Sequence, residues 1–559
     1  MERIWQKAYE EGVPTEINAK EYNSLVEVLE ESFKKYESLE SFYCMGKCFT
    51  YGELDLLSRK FAAYLQHDLG LKKGDRVALM MPNILQYPIA LFGILRAGLT
   101  AVNVNPLYTA RELEHQLNDA ECETIVIFEN SCKTLQEVVK STPVKNVLVT
   151  GIGDLLGFPK SMIVNFVIKH VKKMIPNYSL PNAKDFKTVL FDSSAENYVR
   201  PDMTLDDVSF LQYTGGTTGV SKGAILTHGN IVANIVQARA WIRKYLKEGE
   251  ECIITPLPLY HIFSLTANCM IFATMGAKNI LITNPRDMPG FIKEIKKHKF
   301  TAFTGVNTLF NGLLNNPEFK DVDFSHLKLT LGGGMAVQRS VADRWKEVTG
   351  VPLIEAYGLT ETSPAACINP MDLKAYNGKI GVPISSTDMV ILDDDGNELP
   401  TGEAGEIAIK GPQVMKGYWK RPEETDKVMT KDGYFKTGDI GFMDEKGYFQ
   451  IVDRKKDMIL VSGFNVYPNE VEEVVVGHPK VFEAAAIGVP DESSGEIVKI
   501  FVVKKEADLT QEELKAYCKE HLTGYKVPKL YEFREELPKT NVGKILRKDL
   551  RNEELAKQS

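Results

Sequence analysis

The sequence predicts a multi-domain α/β protein, on the evidence of its length and of two contrasting local patterns. A chain of 559 residues exceeds what one hydrophobic core usually supports, so two or more domains are expected. From residue 75 onward, short apolar runs alternate with stretches of helical spacing, which is typical of parallel β/α units. Residues 385–453 instead carry short strands broken by glycine turns, as expected of antiparallel β structure.

The alternating elements can be bounded from their residues. We predict strands at 76–81, 100–104 and 124–128, and helices at 84–97 and 110–120. A further strand is predicted at 252–255, where Pro256 interrupts it. These elements predict the fold class but leave the strand order open.

A charged link marks the predicted domain boundary. Arg454, Lys455, Lys456 and Asp457 follow Asp453, and a compact block of strands and helices then runs to the end. We therefore predict a large N-terminal domain at 1–453, with β/α subdomains and a β-rich subdomain. A small α+β C-terminal domain is predicted at 454–559.

Composition excludes several classes of protein. The apolar share of 44% and the charged share of 25% are those of an ordinary globular protein, and the net charge of −8 argues against a chain that coats nucleic acid. The eight cysteines are scattered without a zinc-binding pattern, which indicates reduced thiols in a cytoplasmic protein. Neither a signal peptide nor an apolar run long enough to span a bilayer is expected.

Residues 158–175 combine a dense apolar series with four lysines. Two interpretations stay open for this segment. It is either a helix packed on the domain with solvated lysines, or a basic amphipathic helix on the inner face of the cytoplasmic membrane. It is the first candidate for peripheral membrane contact.

The loop at 213–224 is the most informative motif. Its glycines let a backbone approach a phosphate closely, and its hydroxyls and one ammonium group add donors for an anion. The residues of the motif are Tyr213, Thr214, Gly215, Gly216, Thr217, Thr218, Gly219, Val220, Ser221, Lys222, Gly223 and Ala224. Because Lys222 precedes Gly223 rather than a Ser or Thr, this is not a Walker A loop.

Other short motifs are weak when taken singly. Tyr357 to Glu361 places a ring and a carboxylate together, and a carboxylate beside polyphosphate suits magnesium. The glycines at 332–334 would let a flat base lie against backbone. Asp439 follows a tight turn and suits two ribose hydroxyls, whereas Lys544 stands beside a glycine near the C-terminus.

Together these motifs resemble the acyl-adenylate-forming superfamily, and the resemblance runs over nearly the whole chain. The matching stretches, in order, are 213–224, 256–261, 357–361, 437–439, 453–457 and 541–544. Within the superfamily the chain is most similar to the bacterial long-chain fatty acyl-CoA synthetases, because 381–383, 432–458 and 461–468 fit their pattern.

The resemblance implies a reaction in two halves. A fatty carboxylate attacks the α-phosphorus of ATP to give acyl-AMP and pyrophosphate, and the thiol of coenzyme A then displaces AMP. The loop would hold the β- and γ-phosphates, while Thr214 and Glu361 would serve Mg²⁺. The C-terminal domain would rotate between the two half-reactions about Lys456.

The resemblance also assigns roles to individual residues. Lys544 would bridge the carboxylate and the α-phosphate, and His261 would line the acyl entrance. The remaining nucleotide-binding residues it implies are Gly333, Gly334 and Tyr357 at the adenine, Gly358 and Thr360 beside them, and Asp439 and Arg454 at the ribose.

Alternative functions differ in what they would require. Amino-acid-activating domains commonly carry an Asp where His261 follows Tyr260, so an uncharged acyl chain is favoured. A ligase for another hydrophobic acid, a luciferase-like oxygenase and a non-catalytic nucleotide- or lipid-binding protein stay open as alternatives. Chain-length preference cannot be read from the sequence, and the oligomeric state is open, although homodimers occur in the superfamily.

Overall fold

The computed structural model describes residues 3–214, 221–491, 493–540 and 543–558. These residues form mixed α/β structure with strands and helices throughout. The strands are β1 Glu40–Cys44, β2 Lys47–Thr50, β3 Arg76–Met80, β4 Thr100–Asn103, β5 Thr124–Phe128, β6 Asn146–Thr150, β7 Lys184–Asp185, β8 Val208–Thr214, β9 Lys222–Thr227, β10 Cys252–Thr255, β11 Lys278–Leu281, β12 Ala302–Gly305, β13 Leu329–Gly332, β14 Leu353–Gly358, β15 Ala365–Ile368, β16 Val382–Pro383, β17 Asp388–Leu392, β18 Gly405–Lys410, β19 Gly417–Tyr418, β20 Phe435–Met443, β21 Phe449–Arg454, β22 Ile459–Val461, β23 Phe464–Val466, β24 Val481–Asp491, β25 Gly495–Lys504 and β26 Leu530–Arg534.

Helices connect and cover these strands. They are α1 Leu25–Lys35, α2 Tyr51–Ala63, α3 Gln86–Arg96, α4 Ala110–Asp119, α5 Cys132–Val138, α6 Lys160–Phe166, α7 Phe186–Asp192, α8 His228–Ile242, α9 Ile262–Ser264, α10 Phe272–Thr274, α11 Met288–Ile295, α12 Asn307–Leu314, α13 Arg339–Thr349, α14 Pro422–Val428, α15 Pro468–Val476, α16 Gln511–His521 and α17 Arg547–Gln558. A wider π-type turn at Leu265–Ile271 joins α9 to α10, and another at Val167–Val171 extends α6.

The first sheet contains eight strands in the order β19-β9-β8-β4-β3-β5-β6-β7. Its central strands pair in parallel, whereas β8 and β9 form an antiparallel pair. The strands β3, β4 and β5 are buried along nearly their whole length, because helices cover both faces of a parallel sheet. The predicted β/α alternation from residue 75 is therefore confirmed.

A helix cap explains where one of the two predicted helices begins. Thr109 caps α4, and Glu112 returns a bond to the backbone of Thr109, so the helix starts at the predicted Ala110. The predicted helix at 84–97 is shorter in the structure, where α3 spans Gln86–Arg96. The predicted strands at 124–128 and 252–255 have the observed bounds of β5 and β10.

The second sheet contains nine strands in the order β16-β15-β14-β13-β12-β10-β11-β1-β2. The strands β10 to β14 pair in parallel, so their carboxyl ends open at one edge of the sheet. Such an edge is the usual place for a ligand site in an α/β sheet.

The third and fourth sheets are smaller. Strands β17, β18, β20 and β21 form an antiparallel sheet, as the turns at 385–453 predict. The fourth sheet has the order β23-β22-β25-β24, with β26 paired to β25. The third sheet ends at Arg454 and the fourth begins at Ile459, although the domain boundary at 453/454 itself stays a prediction.

The segment at 158–175 is helical over α6 and its π-type extension, but its apolar residues are only partly covered. Six apolar side chains of the segment are between 52% and 85% exposed: Phe158, Met162, Ile163, Phe166, Val171 and Met174. Val164 packs against the core, and Asn165 donates a hydrogen bond to Asp154 at 2.7 Å. No helix among the described ranges is long and apolar enough to cross a bilayer.

Trp345 anchors the core beneath the second sheet. Its side chain is fully buried, its ring lies 4.7 Å from that of Phe310, and its indole N–H donates to Thr330 Oγ1 at 3.1 Å. Replacing a fully buried aromatic side chain with alanine usually leaves a cavity that the surroundings do not fill.

We expect Trp345→Ala to lower the free energy of unfolding by about 3–5 kcal/mol, because it removes both packing and a buried hydrogen bond. Denaturant unfolding followed by circular dichroism would measure the change. Val348→Ala on the same helix is the control, since Val348 is exposed. Equal effects of the two substitutions would contradict the anchoring role.

Candidate active site

A cavity opens at the carboxyl edge of the second sheet, where β12, β13 and β14 end. Residues that the sequence places far apart meet in its wall. The predicted site residues that line it are His261, Gly333, Gly334, Tyr357, Gly358, Thr360 and Lys544. The structure therefore brings the C-terminal lysine together with the glycine and tyrosine motifs of the large domain.

Two glycines let the backbone form this wall. Gly334 has a φ of +77°, a conformation that residues with a side chain rarely adopt. At Gly358 a Cβ atom would lie 1.8 Å from the carbonyl oxygen of Pro364, so a larger residue would push β14 away from β15. Because these two residues have no side chain, their backbone itself faces the cavity.

Tyr357 links the cavity to the third sheet. Its hydroxyl donates a hydrogen bond to Asp439 Oδ2 at 2.6 Å, and Arg454 Nε lies 3.5 Å from Asp439 Oδ1. Burial raises the pKa of the Asp439 carboxyl, while Arg454 opposes that rise. Because β20 and β21 pair Asp439 directly with Arg454, the sheet itself holds this acid and base together.

Glu361 lies in the single turn Thr360–Thr362 that follows β14. Its carboxyl is buried and accepts a hydrogen bond from the hydroxyl of Tyr418 at 2.8 Å. Burial raises its pKa, and the Tyr418 hydroxyl opposes the rise. A nearby cation would favour the ionised form further, so the site suits a bound metal ion.

The antiparallel pair β8–β9 carries both ends of the motif at 213–224. Tyr213 pairs with Gly223 and Thr214 with Lys222, so both arms of the motif are held in register. Lys222 forms an ion pair with Glu424. Part of the motif lies outside the described residues, namely Gly215, Gly216, Thr217, Thr218, Gly219 and Val220.

Two further predicted residues flank this motif. Ser221 accepts a hydrogen bond at its backbone oxygen from His115 Nε2 at 3.0 Å, if that nitrogen carries the proton. Ala224 lies in β9, where it pairs with Gln212 on one side and Tyr418 on the other. The pairing between β9 and β19 thereby brings Tyr418 toward Glu361.

Lys544 enters the cavity from the C-terminal part of the chain. Its backbone N–H donates to Thr540 Oγ1 at 3.0 Å, and its Cε lies 3.6 Å from the position of a Cβ on Gly334. Burial and the Arg454 charge lower its pKa to about 8, although Asp439 and Glu361 counteract them. The side chain is thus still mostly a cation at neutral pH, in a place where it is poorly solvated.

His261 stands on the other side of the cavity, directly before α9. Its Nδ1 accepts a hydrogen bond from the Phe263 backbone N–H at 3.3 Å. Burial and the Lys544 charge lower the pKa of His261 to about 3. The imidazole is therefore neutral, which leaves Nε2 as a hydrogen-bond donor.

The far part of the cavity wall is apolar. Along α8, the lining residues Asn234, Ala238 and Ile242 are four residues apart, so they lie on one face of the helix about 6 Å apart along its axis. Ala238 and Ile242 are apolar, whereas the polar Asn234 donates a hydrogen bond to the Ala365 carbonyl oxygen at 2.9 Å. Ile271, Leu329 and Met371 complete this part of the wall. The cavity therefore has a polar end at Lys544 and an apolar end along α8.

Glu361 and Thr214 do not form a complete metal site alone. Within the described ranges, no group of three His, Cys, Asp or Glu side chains is arranged to hold a metal ion. Magnesium prefers one or two carboxylates together with phosphate oxygens and water. The buried Glu361 supplies one carboxylate close to the predicted phosphate-binding motif, which fits that requirement.

Lys456, the predicted hinge, lies in an exposed turn between the third and fourth sheets. The neighbouring Lys455 N–H donates to the Gly438 carbonyl oxygen at 3.0 Å, so one end of the turn is tied to the third sheet. The Lys456 side chain is accessible to solvent, but the protein around it removes part of its hydration, and this partial desolvation together with the Arg454 charge lowers its pKa to about 8.

Sequence reasoning missed two side chains of this site. Tyr418 supports Glu361, and Glu424 pairs with Lys222. Both contacts require β19, and α14 which follows it, to lie beside β9. The strands β19 and β9 are far apart in the sequence, and no local pattern predicts that they pair. The motif Gly417-Tyr418-Trp419 between two polar stretches is the only local feature that could have drawn attention to Tyr418.

Comparison with known proteins agrees with this geometry. The model of the AMP-binding enzyme family matches residues 29–419, and that of the AMP-binding enzyme C-terminal domain matches 470–544. A long-chain-fatty-acid–CoA ligase of Escherichia coli O6:H1 is 57% identical over 99% of this chain and 98% of its own length. A protein of the same name from Yersinia pestis is 58% identical over 99% of both chains.

A solved structure gives the same result for the fold. The crystal structure of ATP-bound MatB from Rhodopseudomonas palustris is 28% identical, with a TM-score of 0.82 over 95% of this chain and 99% of that one. The two family models together cover both the large N-terminal part of the chain and the C-terminal part as far as Lys544. The chain therefore belongs to the AMP-binding enzyme family.

Proposed function

We propose that this chain activates long-chain fatty acids to acyl-CoA through an acyl-AMP intermediate, with ATP and coenzyme A as co-substrates. The observation that carries the proposal is the cavity, which joins a cationic polar end at Lys544 to an apolar wall along α8. The relatives named long-chain-fatty-acid–CoA ligases support the same substrate class.

The polar end suits the first half-reaction. Tyr357 and the backbone of Gly333 and Gly334 would flank the adenine, and Asp439 with Arg454 would take the ribose hydroxyls. The loop at 213–224 would hold the β- and γ-phosphates. The fatty carboxylate then attacks the α-phosphorus, its oxygen forms the new P–O bond, and pyrophosphate leaves.

Lys544 is the residue we assign to the transition state of that step. Negative charge accumulates on the α-phosphate as the carboxylate attacks, and a poorly solvated cation stabilises that charge more than it stabilises the separate reactants. The neutral His261 would donate from Nε2 to the carboxylate at the acyl entrance. Both roles are consistent with the lowered pKa values of the two side chains.

Magnesium belongs to this proposal. Glu361, held by Tyr418, and Thr214 would bind it, and the bound ion would neutralise charge on the phosphate oxygens. In the second half-reaction the thiol of coenzyme A attacks the acyl carbonyl carbon, and AMP leaves. The turn at 454–457 would let Lys544 withdraw and the 459–466 region approach coenzyme A.

Residues 158–175 would additionally place the enzyme on an anionic membrane surface. The exposed apolar side chains Met162, Ile163 and Phe166 lie on one face of α6, and Lys172 and Lys173 follow them along the chain. Those two lysines make no ion pair with any residue that the structure describes, which leaves them to attract acidic lipid headgroups. Homodimer formation, which occurs in the superfamily, stays a prediction.

The substrate assignment is tested with saturated fatty acids from short to very long chain, scored for coenzyme A-dependent AMP release. We expect activity to rise toward long chains. Ala238→Phe should lower kcat/KM for long chains about tenfold more than for short ones, because the larger side chain fills the apolar end of the cavity. No AMP release with any fatty acid would contradict the proposed function.

The control for that substitution is Ala240→Phe. Ala240 lies on the same helix and is half-buried, but it is not part of the cavity wall. It should change stability without changing the chain-length profile. A profile that Ala238→Phe leaves unaltered would place the acyl chain elsewhere.

We expect Lys544→Ala to slow acyl-AMP formation by at least about 100-fold, because it removes the cation at the α-phosphate. Fatty-acid-dependent exchange of pyrophosphate into ATP measures that step. Acyl-CoA formation from supplied acyl-AMP should stay within a few-fold of the unmodified enzyme.

Lys539→Ala is the matched control for the lysine. Lys539 comes from the same loop but pairs with Glu483 at 2.7 Å, outside the cavity wall. Its replacement should affect neither half-reaction strongly. Loss of both half-reactions in a folded Lys544→Ala variant would refute the assigned role.

We expect Ile163→Glu to lower the partition coefficient onto vesicles of phosphatidylcholine with phosphatidylglycerol about tenfold, since a charge replaces an apolar side chain at the surface. Co-sedimentation measures binding. Leu555→Glu on α17 is the control, because Leu555 is 55% exposed and Ile163 is 58% exposed.

Equal binding of the two variants would contradict the membrane assignment. So would full binding to vesicles of phosphatidylcholine alone, because the lysines would then have no role. If Ile163→Glu instead abolished a dimer seen in sedimentation velocity, the surface would belong to a second copy of the chain.

A further inference from the structure

A cluster of buried charges lies beside the turn that separates the third and fourth sheets. Arg547, the first residue of α17, is at its centre. Its guanidinium lies 3.2 Å from Asp453 Oδ1, 3.5 Å from Asp457 Oδ2 and 2.7 Å from Glu472 Oε2. The Asp453 side chain is completely buried and that of Arg547 is 14% exposed.

The partners of Arg547 come from both sides of the turn at 454–457. Asp453 lies on β21, where it pairs with Ile440 in the third sheet. Glu472 lies on α15, which packs on the fourth sheet, as does α17 itself. The Arg547–Asp453 ion pair therefore joins the small domain to the last strand of the large one.

Asp453 has a second bond across the same turn. Its Oδ2 accepts from the backbone N–H of Asn469 at 2.7 Å, at the start of α15. Asn469 Oδ1 in turn accepts from Arg547 Nη2 at 2.5 Å. The Asp453 carboxylate thus contacts the first turns of both α15 and α17.

This cluster lies close to the catalytic loop along the chain. Lys544 precedes Arg547 by less than one helical turn, and the intervening residues lead directly into α17. Among the described residues of this loop, Gly543 accepts a hydrogen bond at its carbonyl oxygen from the Thr308 hydroxyl of the large domain, at 3.1 Å. A buried ion pair at the start of α17 is the stronger constraint on where Lys544 lies.

We propose that Asp453 is a positioning residue, which holds Lys544 in the cavity through Arg547 and must release Arg547 when the small domain turns. The inference rests on the proposed two-step function. Glu472, Asn469 and Arg547 would move together as one body, so their bonds persist. The bonds to Asp453 would break, which makes this carboxylate the one that favours acyl-AMP formation over the second half-reaction.

Two of the three carboxylates on Arg547, those of Asp453 and Glu472, provide a matched pair of variants. Asp453→Asn and Glu472→Gln each remove one negative charge from the same guanidinium with little change in shape. We expect Asp453→Asn to lower the ratio of the pyrophosphate-exchange rate to the rate of acyl-CoA formation from supplied acyl-AMP about tenfold. Glu472→Gln should leave that ratio unchanged, although both variants lower the midpoint of thermal unfolding.

The ratio separates positioning from a purely structural role, because a loss of folded protein lowers both rates equally. Equal ratios for the two variants, whether changed or unchanged, would overturn the proposal. If Asp453→Asn fails to fold, Asp453→Glu and Glu472→Asp give the same comparison with the charge retained. Acyl-AMP and acyl-CoA formation by the unmodified enzyme in the same assays tests the proposed function independently.

Discussion

The candidate site depends on the position of one cation. Lys544, from the C-terminal part of the chain, lies in a cavity whose other walls come from the N-terminal part. A lysine loses solvation when it enters such a place, and its pKa falls to about 8 as a consequence. The carboxyls of Asp439 and Glu361 compensate for part of that loss. The cavity thus tolerates the cation without neutralising it, and a bound phosphate would compensate for the remainder.

The acidic groups around Lys544 are themselves held by neutral hydroxyls. Tyr357 donates to Asp439 and Tyr418 donates to Glu361, and burial raises the pKa of both carboxyls. The Arg454 charge opposes this rise at both carboxyls, and the Lys544 charge opposes it at Asp439, so the neighbouring cations favour the ionised forms.

Much of the fold could be predicted from the sequence, because the parallel strands are short apolar runs with clear ends. The strand at 124–128 and the capped helix beginning at Ala110 are examples. The site was predictable only where a motif is local, as around Tyr357. Tyr418 escaped prediction because β19 reaches Glu361 through pairing with β9, far away in the sequence. The cluster around Arg547 likewise depends on three distant segments.

The turn at 454–457 likewise lies between two ion pairs that join residues far apart in the sequence. Arg454 forms an ion pair with Asp439 on one side of it, and Asp453 forms an ion pair with Arg547 on the other. Adjacent residues of β21 point to opposite faces of the sheet, so the end of this strand contacts both Asp439 and the C-terminal part of the chain. In the proposed reaction, a displacement of this strand end would therefore move both contacts together.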